Sequence, residues 1–116
     1  MVEAPYVPDV GEVVYLTLDP TKGHEQAGRR PALVLTPRRY NARTALVVCC
    51  PMTMQVKGYP FEVPVTGVGA VAGGVVLADQ VKSLDWVQRR ASLLGRVDDA
   101  TLARVRALLK ALLQTP

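Results

Sequence analysis

Apolar and polar positions alternate, run together or break off in ways that divide the chain into short elements. Glu12 to Leu18 (EVVYLTL) is rich in β-branched and aromatic residues and predicts a strand. Asp19 to Gly23 ends it with turn residues, and Lys22 to Arg30 has neither period, which predicts a long loop. Ala32 to Thr36 (ALVLT) and Ala45 to Cys50 (ALVVCC) are almost wholly apolar and predict strands covered on both faces. Between them, Pro37 to Thr44 reads as a basic turn or a single helical turn. Pro51 to Pro60 is a polar loop. Phe61 to Val65 alternates, but Pro64 confines it to a sheet edge. Gly67 to Gly74 holds four glycines and predicts a mobile hairpin connection into a strand at Val75 to Ala78. Asp79 to Asp85 reads as a turn, and Arg90 to Arg96 as a last strand or strand pair.

The tail changes period. Asp98 is a good N-cap and Asp99 suits the positive end of a helix. Leu102, Val105, Leu109 and Leu112 recur at helical spacing, with Arg104, Arg106 and Lys110 largely off that face. Leu108 and Leu113 widen the stripe beyond what a small barrel needs, which points to a second subunit on this helix. Short strands, Gly/Pro turns and one terminal helix together predict a mainly β fold, a small, highly curved antiparallel barrel in one domain spanning 1–116.

Composition narrows the setting. The 116 residues are 49% hydrophobic and 21% charged, with six aromatics, so the core must be Val, Leu and Ala. No apolar run reaches the roughly 20 residues that cross a bilayer, and the N-terminus lacks the pattern of an export signal. A cytoplasmic protein that does not engage membranes is the expectation. Adjacent Cys49 and Cys50 would point to opposite faces of a strand, so they read as free buried thiols. With a single distant histidine they do not form a metal site, and no cofactor is expected.

Charge is uneven. Residues 21–60 carry Lys22, Arg29, Arg30, Arg38, Arg39, Arg43 and Lys57 against the single acid Glu25, a net of +6 in a chain whose net is +4. Such a window reads as a phosphate-binding face. A guanidinium donates two parallel hydrogen bonds to phosphate oxygens, and Pro31 mounts Arg30 at the entrance to a buried strand. The hydroxyl of Thr53, straight after another such strand, could donate to the same phosphate. His24 and Glu25 are the acid/base candidates of the window, and Asp79 and Gln80 follow a strand that could reach it. Taken alone, the same residues also read as solvated arginines, a turn threonine and a loop histidine. With RNA as substrate a ribose 2′-OH can attack the adjacent phosphorus, leaving a 2′,3′-cyclic phosphate and a 5′-OH, a route closed to DNA.

These residues fall in longer motifs. DPTKGHEQAGRRPALVL (19–35), PMT (51–53), KGYPFEV (57–63) and LADQVKS (77–83) closely resemble the signatures of the MazF/PemK/Kid toxins, the MazF branch most of all. The likeness runs from about Pro8 to the C-terminal helix. It implies an SH3-like barrel of the CcdB/Kid type and a homodimer with RNA across the subunit junction. It also implies ribosome-independent cleavage of single-stranded mRNA at short sequences, and a MazE-like antitoxin whose acidic, disordered tail covers the basic surface. On the matching positions Arg30 and Thr53 become the catalytic residues, with Glu25 as the acid of the first signature. RNA contacts are expected of Lys22, His24, Arg29, Arg39, Gln55, Lys57, Asp79 and Gln80.

Three departures follow. Arg29 doubles the usual single arginine, which predicts partial rescue of an Arg30 substitution. Leu77 stands where some Kid-type relatives use an arginine, so that acid/base scheme does not transfer. The glycine-rich 67–74 segment is unusual for the family and could shift target preference. Two other functions fit the same outline: a gyrase-poisoning CcdB-like toxin, against which stand the Arg30/Thr53 signature and a C-terminus without aromatics, and an RNA-binding module without catalysis.

Overall fold

The computed structural model describes residues 5–18 and 28–114. Seven strands and two α-helices follow in the order β1 (Glu12–Leu18), β2 (Gly28–Val34), α1 (Arg38–Thr44), β3 (Leu46–Thr53), β4 (Glu62–Pro64), β5 (Val75–Leu77), β6 (Lys82–Asp85), β7 (Ser92–Arg96) and α2 (Asp99–Leu113). Every strand pairing is antiparallel, in the order β4-β5-β3-β2-β1-β7, with β6 also on β3. The expected mainly β architecture with a C-terminal helix is present.

β3 organises the sheet by changing partners along one edge. Leu46 to Cys49 pair with β6, whereas Met52 and Thr53 pair with β5. Pro51, which has no N–H to donate, falls in the gap between the two pairings. Pro31 is placed by the same logic, one residue before the stretch of β2 that pairs on both sides.

Strand alternation sends side chains into two separate cores. Val13, Leu33, Cys50, Met52, Val63 and Val76 meet Leu102 and Val105 of α2 on one face. Val14, Leu16, Ala32, Val34, Val47 and Cys49 lie on the other, under Tyr6, Leu84 and Trp86. Cys49 and Cys50 thus point to opposite faces, both buried and unpaired, and burial pushes each thiol up to about 12.

The second core is closed by one side chain. Asn41 of α1 is fully buried; its amide donates to the Pro8 carbonyl at 2.8 Å and the Thr36 carbonyl at 2.9 Å. Its Oδ1 accepts from the Thr36 hydroxyl at 2.6 Å, and its backbone carbonyl accepts from the Trp86 indole at 2.8 Å. A polar group at that depth is tolerated because both amide donors and the amide oxygen are paired.

Several boundaries differ from the sequence reading. β2 begins at Gly28, so Arg29 and Arg30 are strand residues rather than part of a loop, because they pair with Thr17 and Leu16 of β1. Residues 38–44 form two helical turns rather than one. β3 runs through Thr53, since β5 offers it a fresh edge, and the polar loop starts only at Met54. Residues 79–85 are a 3₁₀ turn (Ala78–Gln80) and a strand rather than a turn. The 67–74 connection is anchored: Val68 and Val71 are buried, and a Cβ at Gly95 would stand 2.8 Å from Val68 Cγ1. The α2 cap forms as expected, with the Thr101 N–H donating to Asp98 Oδ1 at 2.8 Å. Leu108, expected to be surplus, packs on the first core, leaving Leu112 and Leu113 exposed.

Candidate active site

β2 and β3 run in a register where Val34 meets Cys49, Leu33 meets Cys50 and Ala32 meets Pro51. One two-residue step further along the same register are Arg30 and Thr53. Both therefore belong to the sheet face of Ala32 and Pro51, at the end where the strands part. Arg30 is exposed there and held in a paired strand. Thr53 is half-buried, and its Oγ1 accepts from the Gln55 N–H at 3.1 Å. Accepting leaves the hydroxyl proton available to donate to a ligand oxygen. The local turn bond and a ligand bond are thus compatible.

Thr53 also forms one wall of a cavity of about 280 Å³, lined by Gln55, Lys57, Tyr59, Phe61, Glu62, Leu77, Asp79 and Gln80. Glu62, Leu77 and Thr53 reach it because strand register puts them on one face, opposite the core residues Val63, Val76 and Met52. The loop across it is pinned by Glu62, whose carboxylate accepts from the N–H of Lys57 at 3.0 Å and of Gly58 at 2.8 Å. That turn needs the positive φ of 84° at Gly58. Glu62 stood inside a quoted motif without a role; its signal was an acid shortly after a Lys-Gly turn. Tyr59, 62% exposed at the rim, and the apolar walls Phe61 and Leu77 were likewise missed.

The remaining candidates separate. Gln55, Lys57, Asp79 and Gln80 gather with Thr53. Arg29 does not: it neighbours Arg30 in a strand and so takes the opposite face. Its guanidinium donates to Thr17 Oγ1 at 3.1 Å, the Arg89 carbonyl at 3.2 Å and the Arg90 carbonyl at 2.8 Å, and lies 5.0 Å from the centre of the Tyr15 ring. It ties β1 and β2 to the turn before β7. Arg39 is exposed on α1 and outside the cavity lining. Arg38, part of the basic window, spans Asp9 and Glu12 at 3.7 and 3.8 Å. The basic window is thus divided among different surfaces. Lys22, His24 and Glu25 lie outside the described residues. Among those described, no three His, Cys, Asp or Glu side chains gather as a metal site would require, and no helix is long and apolar enough to cross a membrane.

Residues 9–113 match the model of the PemK-like, MazF-like toxin of type II toxin-antitoxin systems. The chain belongs to this family. It is 48% identical over 108 residues to the endoribonuclease toxin MazF of Escherichia coli K12, covering 93% of this chain and 96% of that protein. The crystal structure of MazF from Deinococcus radiodurans superposes with a TM-score of 0.87 at 52% identity, covering 94% and 98% of the two chains. A MazE-MazF structure from the same organism superposes at 0.83 and 50% identity, covering 93% and 97%. Membership of the PemK/MazF family gives the resemblance of the sequence motifs a match over nearly the whole chain, β1 through α2.

Proposed function

We propose that this chain is the endoribonuclease toxin of a type II toxin–antitoxin pair, cutting single-stranded mRNA in the cytoplasm at short sequences. Its family and its likeness to named endoribonucleases support the activity. The observation that carries the site is the shared face of Arg30 and Thr53 beside the cavity. In the reaction a base removes the ribose 2′-OH proton and O2′ attacks phosphorus. The P–O5′ bond breaks, O5′ takes a proton, and the products are a 2′,3′-cyclic phosphate and a 5′-OH. Arg30 stabilises charge on the phosphorane oxygens and Thr53 donates to the same phosphate. Glu25 is the acidic partner. The working unit is a homodimer, with RNA contacts from Lys57 and Gln55 and with Lys22 and His24 completing the surface. A MazE-like antitoxin, named with MazF in the solved complexes, binds it through an acidic segment.

The test is cleavage of a long mixed-sequence RNA in EDTA by the purified protein, alongside Arg30→Ala and Thr53→Ala. Rapid cutting by the parent and loss of rate by orders of magnitude in both variants is expected. Full activity in both variants overturns the site, and intact RNA with the parent overturns the nuclease reading.

A further inference from the structure

The glycine-rich 67–74 segment ends against Thr53. Val75, the first residue of β5, pairs with Thr53, and Gly74 stands just before it, buried. A Cβ on Gly74 would lie 2.9 Å from Met54 Sδ, 3.1 Å from the Thr53 carbonyl oxygen and 3.1 Å from the Val71 carbonyl oxygen. Close packing leaves no room there for a methyl group unless a neighbour moves.

The bonds around Gly74 decide which neighbour that is. Its N–H donates to the Val71 carbonyl at 3.0 Å, and its carbonyl accepts from the Val65 N–H at 3.1 Å. Val65, Val68 and Val71 are buried in the first core, so that side is fixed. Met54, 58% exposed, can swing its side chain into solvent. The Thr53 carbonyl has no such freedom, because it is part of the peptide that joins Thr53 to Met54. Moving it tilts the turn in which the Gln55 N–H donates to Thr53 Oγ1, the bond that orients the hydroxyl.

We propose that Gly74 is a positioning residue for RNA cleavage: its missing side chain leaves the room that the Thr53–Met54 peptide needs to hold the Thr53 hydroxyl against the scissile phosphate. The inference rests on the reading of Thr53 as a donor to that phosphate. It gives the glycine-rich segment a task in the rate of the reaction, carried through Thr53, while Gly74 itself is buried. A shift of a few tenths of an ångström is enough, since a preorganised donor acts only over a narrow range of geometry.

The experiment is a double-mutant cycle on one single-stranded RNA, with kcat and KM measured for the parent, Gly74→Ala, Thr53→Val and the two combined. Gly74→Ala should lower kcat by about tenfold, a part of the roughly hundredfold cost of misplacing a group by about 1 Å, and leave KM within about twofold. In the Thr53→Val background, where no hydroxyl remains to misplace, the same substitution should change kcat by less than about twofold. A general loosening of the fold would lower kcat in both backgrounds alike. Should Gly74→Ala fail to fold, Met54→Ala is added to all four proteins, which removes the 2.9 Å contact and keeps the one with the Thr53 carbonyl. A loss of equal size in both backgrounds, or no loss in either, overturns the proposal while leaving Thr53 its role. Full activity in Thr53→Val overturns the Thr53 reading and this inference with it, and intact RNA with the parent overturns the nuclease reading as well.

Discussion

Arg30 and Arg29 are consecutive residues of β2 that face opposite sides of the sheet, and only Arg30 shares the side of Thr53. Their substitutions should therefore behave differently. Arg30→Ala should lower kcat by about two to three orders of magnitude, the usual scale for removing one preorganised donor to a charged transition state. Arg29→Ala removes the bonds to Thr17, Arg89, Arg90 and Ser92 and the contact with Tyr15, and should cost about 2 kcal/mol of stability while cleavage persists. Activity assays and thermal melts of both variants check this. It also bears on the doubled arginine: Arg29 cannot take over from Arg30 without leaving its own bonds and crossing the sheet.

Thr53→Val keeps the shape and removes the hydroxyl. The Gln55 N–H loses its acceptor and the phosphate loses a donor. Cleavage should fall by about two orders of magnitude, as for other lost transition-state donors, and Thr53→Ser should restore most of it. Full activity in Thr53→Val would assign Thr53 to packing alone.

Which parts of this were legible in the sequence follows from how local each signal is. β1 was read to its last residue because its β-branched run is bounded by a turn, and the Asp98 cap and α2 stripe are similarly local. The N-terminal half of β2 was not legible: Gly28, Arg29 and Arg30 have no strand pattern and are held extended by pairing with Leu16 to Leu18. The end of β3 was missed because Pro51 reads as a breaker, and only the change of partner from β6 to β5 makes it tolerable. Arg30 and Thr53 could be named from their motifs, but Arg29 looked equivalent to Arg30, since face assignment requires the strand. The cavity walls Glu62, Phe61 and Tyr59 meet Asp79 and Gln80 only through the β4–β5 pairing, a non-local contact without a sequence period.

Asn41→Ala should destabilise the protein by about 3 kcal/mol, because it leaves the buried Pro8 carbonyl without its donor and removes the bonds to the half-buried Thr36 carbonyl and hydroxyl. Chemical denaturation measures it. A loss under about 0.5 kcal/mol, the range of ordinary surface changes, would contradict the closing role given to this side chain.

The two thiols give a pH window. Burial raises Cys49 and Cys50 from about 9 to about 12, so the folded state holds protons that the unfolded chain releases. Their contribution to stability is complete below about pH 9 and is lost as the pH rises towards 12. A thiol reagent at about pH 8 should leave the native protein untouched and label both cysteines in denaturant.

Acid acts through Asp9. Its carboxylate accepts from the N–H of Arg38 at 2.9 Å and of Val10 at 2.9 Å, and with the Arg38 charge this holds it below its ordinary 3.8. A depressed carboxyl stabilises the fold above about pH 4, and that contribution is lost as the pH falls through and below this value. Denaturation curves between about pH 6 and pH 3 should show a shallower acid loss for Asp9→Asn than for the parent.

The most direct test uses one single-stranded RNA with a known cut, prepared with 2′-deoxyribose only at the nucleotide on the 5′ side of that bond, followed by mass analysis of the product ends. Attack by the 2′-OH on a phosphate held by Arg30 and Thr53 predicts that the substituted bond stays intact while the all-ribose strand yields a 2′,3′-cyclic phosphate and a 5′-OH. Cleavage of the substituted bond at an undiminished rate would contradict it.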